Sequence, residues 1–368
     1  KLVFDEPVQR KKAPKHLADF SPSERKAFAK DLGFQPFRAA QVATHYFTHL
    51  SNNPEEWTDI PAAERQAISE ALTPKLIELV TTRTTDGGMT RNDLWKLHDG
   101  VLVESVLMRY SDRTTVCISS QAGCGMQCPF CATGQAGLTR NLTAGEITAQ
   151  VVMAARACDL GELPGGPTRL SNVVFMGMGE PLLNYNNVIE AIDKITSPEG
   201  LGMAPRRITL STVGIPKMIR KMADDEVKFN LAISLHSAIN ETRSRLMPIN
   251  DSNPLEDLAE SLKYWYQKTK RKVTYEYVIW QGVNDDEKHA KALAKFCKII
   301  PSKVNIIQYN PIDEGEFRQA KQEAVDMYVR VLESQGIIAK VRKSRGQDID
   351  AACGQLANKN EVAQLATD

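Results

Sequence analysis

From about Thr114 onward, short apolar segments alternate with helical segments, and this rhythm limits the possible folds more than any other feature. Each apolar segment has six to eight residues and is rich in β-branched side chains, as buried strands are. Repeated strand–helix units predict a parallel sheet with right-handed crossovers, buried on both faces. The six predicted strands cover residues 114–120, 172–177, 207–212, 229–236, 273–280 and 303–310.

Six strand–helix units are too few for a closed eight-stranded barrel. The predicted fold class is therefore α/β, with a partial, open (β/α)6 barrel, and a late segment at 337–344 predicts one more strand. Parallel α/β folds bind ligands at the carboxyl ends of their strands. We therefore expect functional residues just after the predicted strands.

The segments before the barrel predict a helical module and a small antiparallel β extension. Ser21, Pro22 and Glu24 have the arrangement of a helix start with a capping box. Asp-Gly pairs at 86–87 and 99–100 separate alternating segments, which is typical of β-hairpins. The predicted divisions are a tail (1–18), a helical accessory domain with the start of the β extension (19–92), a barrel domain (93–357) and a C-terminal tail (358–368).

Composition is that of a soluble globular protein, with 25% charged and 42% hydrophobic residues. No apolar run is long enough to cross a bilayer, and the N-terminal stretch lacks a signal-peptide pattern. We therefore expect a cytoplasmic protein without membrane contact. A net charge of +1 does not predict nucleic-acid binding. Local basic clusters, at 9–15, 205–207, 268–272 and 341–346, are either solvated surface or phosphate contacts.

Three cysteines follow the first predicted barrel strand. Cys124, Cys128 and Cys131 have the spacing C-x3-C-x2-C, and no second cysteine pair accompanies them. Structural zinc usually needs a fourth ligand and two separated pairs, so zinc is the weaker interpretation. A 4Fe-4S cluster binds thiolates, and three of them leave one iron open to a small molecule. We therefore expect such a cluster here.

In this position the cysteine loop, with Phe130 before its last cysteine, resembles the signature of the radical S-adenosylmethionine (SAM) superfamily. The segment MGMGEP at 176–181 resembles that superfamily's glycine–glutamate segment, in which Gly179 and Glu180 lie near SAM. The resemblance implies that SAM chelates the open iron. It also implies that the reduced cluster splits SAM and releases a 5′-deoxyadenosyl radical.

A narrower resemblance, to the RlmN-type adenine methyltransferases, covers residues from about 100 to 357. The N-terminal module also resembles that family's RNA-binding accessory domain. The resemblance implies methylation of adenine C2 in 23S rRNA, at the peptidyl transferase centre, and in the tRNA anticodon loop, with two SAM consumed. Alternatives are Cfr-type methylation at C8, a small-molecule radical SAM enzyme, or a non-catalytic metal-containing RNA-binding protein. The matching segments are CISSQAGCGMQCPFCATG, RNLTAGEI, MGMGEP, ITLSTVG, LAISLH, YNP and IDAACGQL.

The same resemblance implies residue roles. Cys353 would carry the methyl group, Glu104 would remove the C2 proton, and Cys117 would release the product by forming a disulfide with Cys353. Cys158 and Cys297 lie in apolar helical patterns and are expected in the core. The implied partners are rRNA, tRNA, a flavodoxin- or ferredoxin-type electron donor and a thiol reductant, and we expect a monomer. The residues implied to bind SAM are Gly179, Glu180, Ser211, Ser234, Leu235, His236 and Asn310.

Overall fold

The computed structural model describes residues 12–313 and 315–357, so the predicted C-terminal tail lies outside the described residues. The strands are β1 (Ile77–Thr85), β2 (Thr90–Leu97), β3 (Leu102–Arg109), β4 (Thr114–Cys117), β5 (Gln121–Gly123), β6 (Leu138–Asn141), β7 (Asn172–Phe175), β8 (Ile208–Thr212), β9 (Asn230–Ser234), β10 (Val273–Val278), β11 (Ser302–Ile307) and β12 (Ile338–Arg342). The helices are α1 (Pro22–Asp31), α2 (Arg38–Ala43), α3 (Ala62–Leu72), α4 (Ala132–Gln135), α5 (Ala144–Asp159), α6 (Tyr185–Thr196), α7 (Pro216–Asp224), α8 (Asn240–Leu246), α9 (Leu255–Thr269), α10 (Glu287–Cys297) and α11 (Gln322–Ser334).

The N-terminal residues fold into a small helical module. The predicted capping box at Ser21 and Glu24 is confirmed, and α1 begins at Pro22. The module has its own apolar core, which also includes Val152 of α5 in the barrel. Leu17, which the sequence assigned to the tail, is fully buried in this core. The module therefore packs directly against the outer layer of the barrel.

The β extension is continuous with the barrel sheet. β1 and β2 pair antiparallel around Asp86-Gly87, and β2 and β3 pair antiparallel around Asp99-Gly100, so both predicted hairpins are confirmed. Both glycines have positive φ angles, which a tight turn here requires. β3 then pairs antiparallel with β4, and Ile77 of β1 belongs to the barrel core.

In the part of the chain that the structure describes, seven parallel strands form the open barrel. The ten-stranded sheet has the order β1-β2-β3-β4-β7-β8-β9-β10-β11-β12, and every pair from β4 to β12 is parallel. The six predicted strands correspond to β4 and β7 to β11, and the late segment is β12. Within the described residues β12 pairs with β11 alone, so the sheet stays open at this edge.

Several strands end two or three residues earlier in the structure than the sequence pattern predicts. The predicted strand 229–236, for example, ends at Ser234, because His236 has a φ of 59° that no strand residue adopts. These extra residues form loops at the carboxyl ends of the strands. Among the described residues, no helix has the length and apolar character that crossing a bilayer would require.

Candidate active site

A cavity of about 180 Å³, called the main cavity below, lies at the carboxyl ends of the parallel strands. Of the predicted site residues, only Glu104, Cys117 and Leu235 are absent from its lining. The fold therefore brings together side chains from loops that are far apart in sequence. Those predicted residues that line it are Cys124, Cys128, Cys131, Gly179, Glu180, Ser211, Ser234, His236, Asn310 and Cys353.

The cysteine loop is held at its base by the two-stranded sheet of β5 and β6. The backbone N–H of Cys124 donates to the Gly137 carbonyl oxygen at 2.8 Å. Gly123 has a φ of 74°, and a Cβ there would lie 1.9 Å from the same oxygen. Only glycine fits this close approach. The resulting turn directs the cysteine loop into the main cavity. The next turn is closed by the Cys131 N–H, which donates to the Cys128 carbonyl.

The three thiols fit a cuboidal cluster better than a single metal ion. Burial raises the pKa of the Cys124 thiol to about 12 and also raises the pKa of Cys128 and Cys131. They therefore need a bound cationic group to ionise. In the described part of the chain, no three His, Cys, Asp or Glu side chains converge on one ion. In a cluster each thiolate binds a different iron, so three thiols around one cavity fit it.

Glu180 is a buried carboxylate at the end of the loop that follows β7. Its Oε1 accepts hydrogen bonds from the Leu182 N–H and the Thr212 hydroxyl, and its Oε2 accepts one from the Val213 N–H. Burial nevertheless raises the pKa of Glu180 to about 7. The neighbouring Gly179 has a φ of 100°, so the chain turns sharply there. A cationic ligand in the main cavity would favour the ionised carboxylate.

Polar groups at the ends of the next two strands also line the main cavity. The hydroxyls of Ser211 and Ser234 lie 3.4 Å apart. His236 Nδ1 accepts from the Val278 N–H, and burial lowers the pKa of His236 to about 3. The imidazole is therefore neutral and carries its hydrogen on Nε2 as a donor. Its ring packs edge-on against Phe130 of the cysteine loop at 5.1 Å.

The segment that carries Cys353 closes one side of the main cavity. The Ala132 N–H donates to the Gly354 carbonyl at 2.8 Å, and the Thr133 hydroxyl donates to the Leu356 carbonyl at 2.6 Å. Asn310 Nδ2 donates to the carbonyl of Cys353 itself at 3.0 Å. The thiol is thereby held beside the cysteine loop, although more than 200 residues separate the two in sequence.

A second, smaller cavity of about 60 Å³ joins the two remaining site cysteines. Cys117, on β4, and Cys353 both line it, and Cys353 also lines the main cavity. Burial and the neighbouring Cys353 raise the pKa of Cys117, while Arg342 lowers it. All seven cysteines lie within the described residues and are free thiols, so the expected disulfide is not present in this structure.

Glu104 and Leu235 lie beside the main cavity rather than in its lining. Glu104 Oε1 accepts from the Ala357 N–H at 3.1 Å, and Oε2 accepts from Asn92 Nδ2 at 2.6 Å. The carboxylate thus contacts the end of the Cys353 segment. Leu235 is fully buried in the barrel core, and its carbonyl accepts from Arg243 Nε.

Sequence reasoning missed two charged residues at this site. Glu276 of β10 lines the main cavity, and the signal was a carboxylate in the middle of an otherwise apolar strand. Arg243 of α8 is fully buried and donates to the carbonyls of Val213 and Leu235. Burial lowers the pKa of Arg243 to about 10, so it stays cationic at neutral pH. No local pattern distinguished it from a surface arginine.

Comparisons with known proteins agree with this geometry. Residues 118–294 match the radical SAM superfamily. A probable dual-specificity RNA methyltransferase RlmN from Flavobacterium johnsoniae is 54% identical over 323 residues, which cover 88% of this chain and 91% of that protein. A protein of the same name from a Nocardioides species is 48% identical over 362 residues, which cover 97% of this chain and 96% of that protein. The crystal structure of a radical SAM methyltransferase from Sphaerobacter thermophilus is 38% identical, with a TM-score of 0.89, over 93% of this chain and 99% of that one.

Proposed function

Since this chain belongs to the RlmN family of radical SAM RNA methyltransferases, we propose that it methylates C2 of one adenosine in 23S rRNA, at the peptidyl transferase centre, and of one in the tRNA anticodon loop. The observation that carries this proposal is the position of Cys353. It faces the cysteine loop through the main cavity and Cys117 through the second cavity. Adenine C2 is too electron-poor to attack a methyl sulfonium directly, so a protein group must carry the methyl.

The cofactors have matching donors. Cys124, Cys128 and Cys131 would hold a 4Fe-4S cluster, which together with SAM supplies a 5′-deoxyadenosyl radical when it is bound and reduced. The Glu180 carboxylate is suited to the methionyl amine of SAM, because it is buried and fixed by three donors, and a cationic amine beside it would favour its ionised form. The remaining proposed SAM contacts come from Gly179, Ser211, Ser234, Leu235, His236 and Asn310.

The chain's own residues would carry the methyl group and the proton. The Cys353 sulfur would attack the methyl carbon of a first SAM molecule, displace S-adenosylhomocysteine and become a thioether. After one hydrogen atom has passed from that methyl group to the 5′-deoxyadenosyl radical, its carbon would bond to adenine C2 and link protein to RNA. The adduct would then give up one electron, which the bound, oxidised cluster can accept. Glu104 accepts the C2 proton, and Cys117 attacks the sulfur of Cys353. The carbon–sulfur bond to Cys353 breaks, the methylene carbon takes up a proton to become a methyl group as the base leaves, and a transient Cys117–Cys353 disulfide remains.

The proposed partners follow from these steps. A flavodoxin- or ferredoxin-type protein would reduce the cluster, and a thiol reductant would restore the two free cysteines. We assign RNA binding to the accessory domain, residues 19–92, and catalysis to the barrel domain, residues 93–357. The enzyme would act as a monomer in the cytoplasm.

Two cysteine variants test this proposal, because Cys353 and Cys117 act at different steps of the reaction. Cys353→Ala removes the methyl carrier, so neither product nor protein–RNA adduct should form. Cys117→Ala keeps the carrier but lacks the thiol that releases the base, so RNA should remain covalently attached at Cys353. Denaturing gels of protein incubated with labelled RNA, SAM and reductant would show the adduct as a slow band. If both variants lack it, or if Cys353→Ala still methylates RNA, the proposal fails.

A further inference from the structure

Cations line the inner face of the last two barrel strands, where a barrel normally packs branched apolar side chains. In β12, Lys340 pairs with Asn305 and Arg342 pairs with Ile307. Ile307 lines the main cavity, so this face of the two strands points into the barrel. Lys303 lies two residues before Asn305 in β11 and therefore shares the same face.

The same charge continues past the end of β12. Arg342, Lys343 and Arg345 line the second cavity, and among the described residues none that lines it has a carboxylate side chain. We call Lys303, Lys340, Arg342, Lys343 and Arg345 the basic channel. It begins at the open edge of the sheet and ends beside the thiols of Cys117 and Cys353.

The basic channel carries a net positive charge, because the neighbouring carboxylates are fewer than its five cations. Glu276 Oε2 lies 3.5 Å from Arg342 Nη1, and Asp86 Oδ2 lies 4.0 Å from Arg345 Nε. Partial burial together with the charges of Lys340 and Lys272 lowers the pKa of Lys303. Such mutual repulsion is relieved when an anion binds. The whole chain has 46 basic and 45 acidic residues, so this local excess is not a general property of its surface.

The channel is open to a large ligand. Lys340, Arg342 and Lys343 are exposed, and β12 is an edge strand with Ile338 and Val341 more than half exposed. At the far end the Arg345 guanidinium is fixed, because it stacks 4.3 Å from the Tyr110 ring and donates to the Arg109 carbonyl. A fixed cation loses little conformational freedom on binding a phosphate.

We propose that the basic channel binds the sugar–phosphate backbone of single-stranded RNA next to the target adenine. Phosphate contacts position a nucleic acid without reading its sequence, and a base turned out of such a strand would reach Cys353. This inference rests on the proposed function and extends it by naming the residues that hold the substrate. Val106 and Met108 of β3 and Arg342 of β12 line the second cavity together, so the bound strand would reach it between β3 and β12.

Removal of two exposed lysines tests the channel. Full-length reconstituted protein without SAM is titrated with a fluorescent RNA hairpin that has an adenine in its loop, at salt concentrations from 50 to 200 mM. For Lys340→Ala/Lys343→Ala we expect weaker binding. Its plot of log affinity against log salt concentration should be shallower by about 0.7 for each phosphate that the variant no longer binds, because fewer counterions are released. Lys340→Arg/Lys343→Arg should keep the slope of the unmodified protein.

The matched control is Lys288→Ala/Lys295→Ala, which removes two exposed lysines from α10 on the outer layer. An unchanged slope in the channel variant, or an equal loss of affinity in this control, overturns the inference. Nucleoside analysis of the RNA product separates this inference from the proposed function. Normal C2 methylation with unaltered RNA binding by the channel variant contradicts the channel alone. Channel-dependent binding without C2 methylation contradicts the proposed function alone.

Discussion

At the scale of single residues, Glu180 gives a testable pH dependence. Burial raises its pKa from 4.5 to about 7, so the folded protein binds a proton that the unfolded chain has released. The stability from this group is fully present below pH 4.5 and is lost as the pH rises through 7. Glu180→Gln should remove about 3 kcal/mol of this pH-dependent unfolding free energy. Urea unfolding of the cluster-free protein at a series of pH values measures the difference.

Glu241→Gln is a suitable control, since Glu241 is exposed on α8. Its unfolding free energy should follow the pH dependence of the unmodified protein. An identical pH dependence for Glu180→Gln would mean that the three hydrogen bonds to the carboxylate outweigh its burial.

Residue identity alone could not fix which atoms face the main cavity. The strand pattern around LAISLH predicted a polar, ligand-facing end, and Ser234 and His236 do line the cavity. Leu235, between them, points into the barrel core because side chains alternate at a strand end. Its N–H and carbonyl are already bonded to Glu276 and Arg243, respectively.

At the scale of elements, the β5–β6 hairpin positions the cysteine loop. Gly123→Ala would place a methyl group 1.9 Å from the Gly137 oxygen at a positive φ, so the hairpin must open. We expect this variant to lose most of its iron after reconstitution. Gly125→Ala is the matched control, because its nearest contact would be Leu138 Cβ at 3.7 Å. Iron and sulfide assays that find equal cluster content in both variants would contradict the hairpin's role.

Local patterns predicted the elements but not the contacts that assemble the site. Capping residues fixed the start of α1, and Asp-Gly pairs fixed both hairpins, because these signals act within a few residues. The bond from Thr133 to the Leu356 carbonyl joins residues 223 positions apart. Such contacts depend on tertiary packing, which periodicity does not encode, so only family resemblance placed Cys353 near the cysteine loop.

At the scale of the whole molecule, the boundary of the accessory domain can be tested by truncation. A chain that begins at residue 75 keeps β1, whose Ile77 lies in the barrel core. It should bind a normal amount of iron but lose activity on RNA, because the helical module is absent. A chain that begins at residue 93 lacks β1 and the start of β2 and should be markedly less stable. Loss of iron in the chain that begins at residue 75 would contradict separately folding domains.

The proposed activity is defined by the chemical identity of its product, and nucleoside mass spectrometry measures this identity most directly. Reconstituted protein is incubated with SAM, a reductant and either an rRNA fragment or a tRNA, and the RNA is then digested. We expect 2-methyladenosine from both RNAs with the unmodified protein, and no 2-methyladenosine with Cys353→Ala. If 8-methyladenosine is found instead, the same cysteine chemistry acts on C8 rather than on C2. Methylation that persists without Cys353 would contradict the central claim.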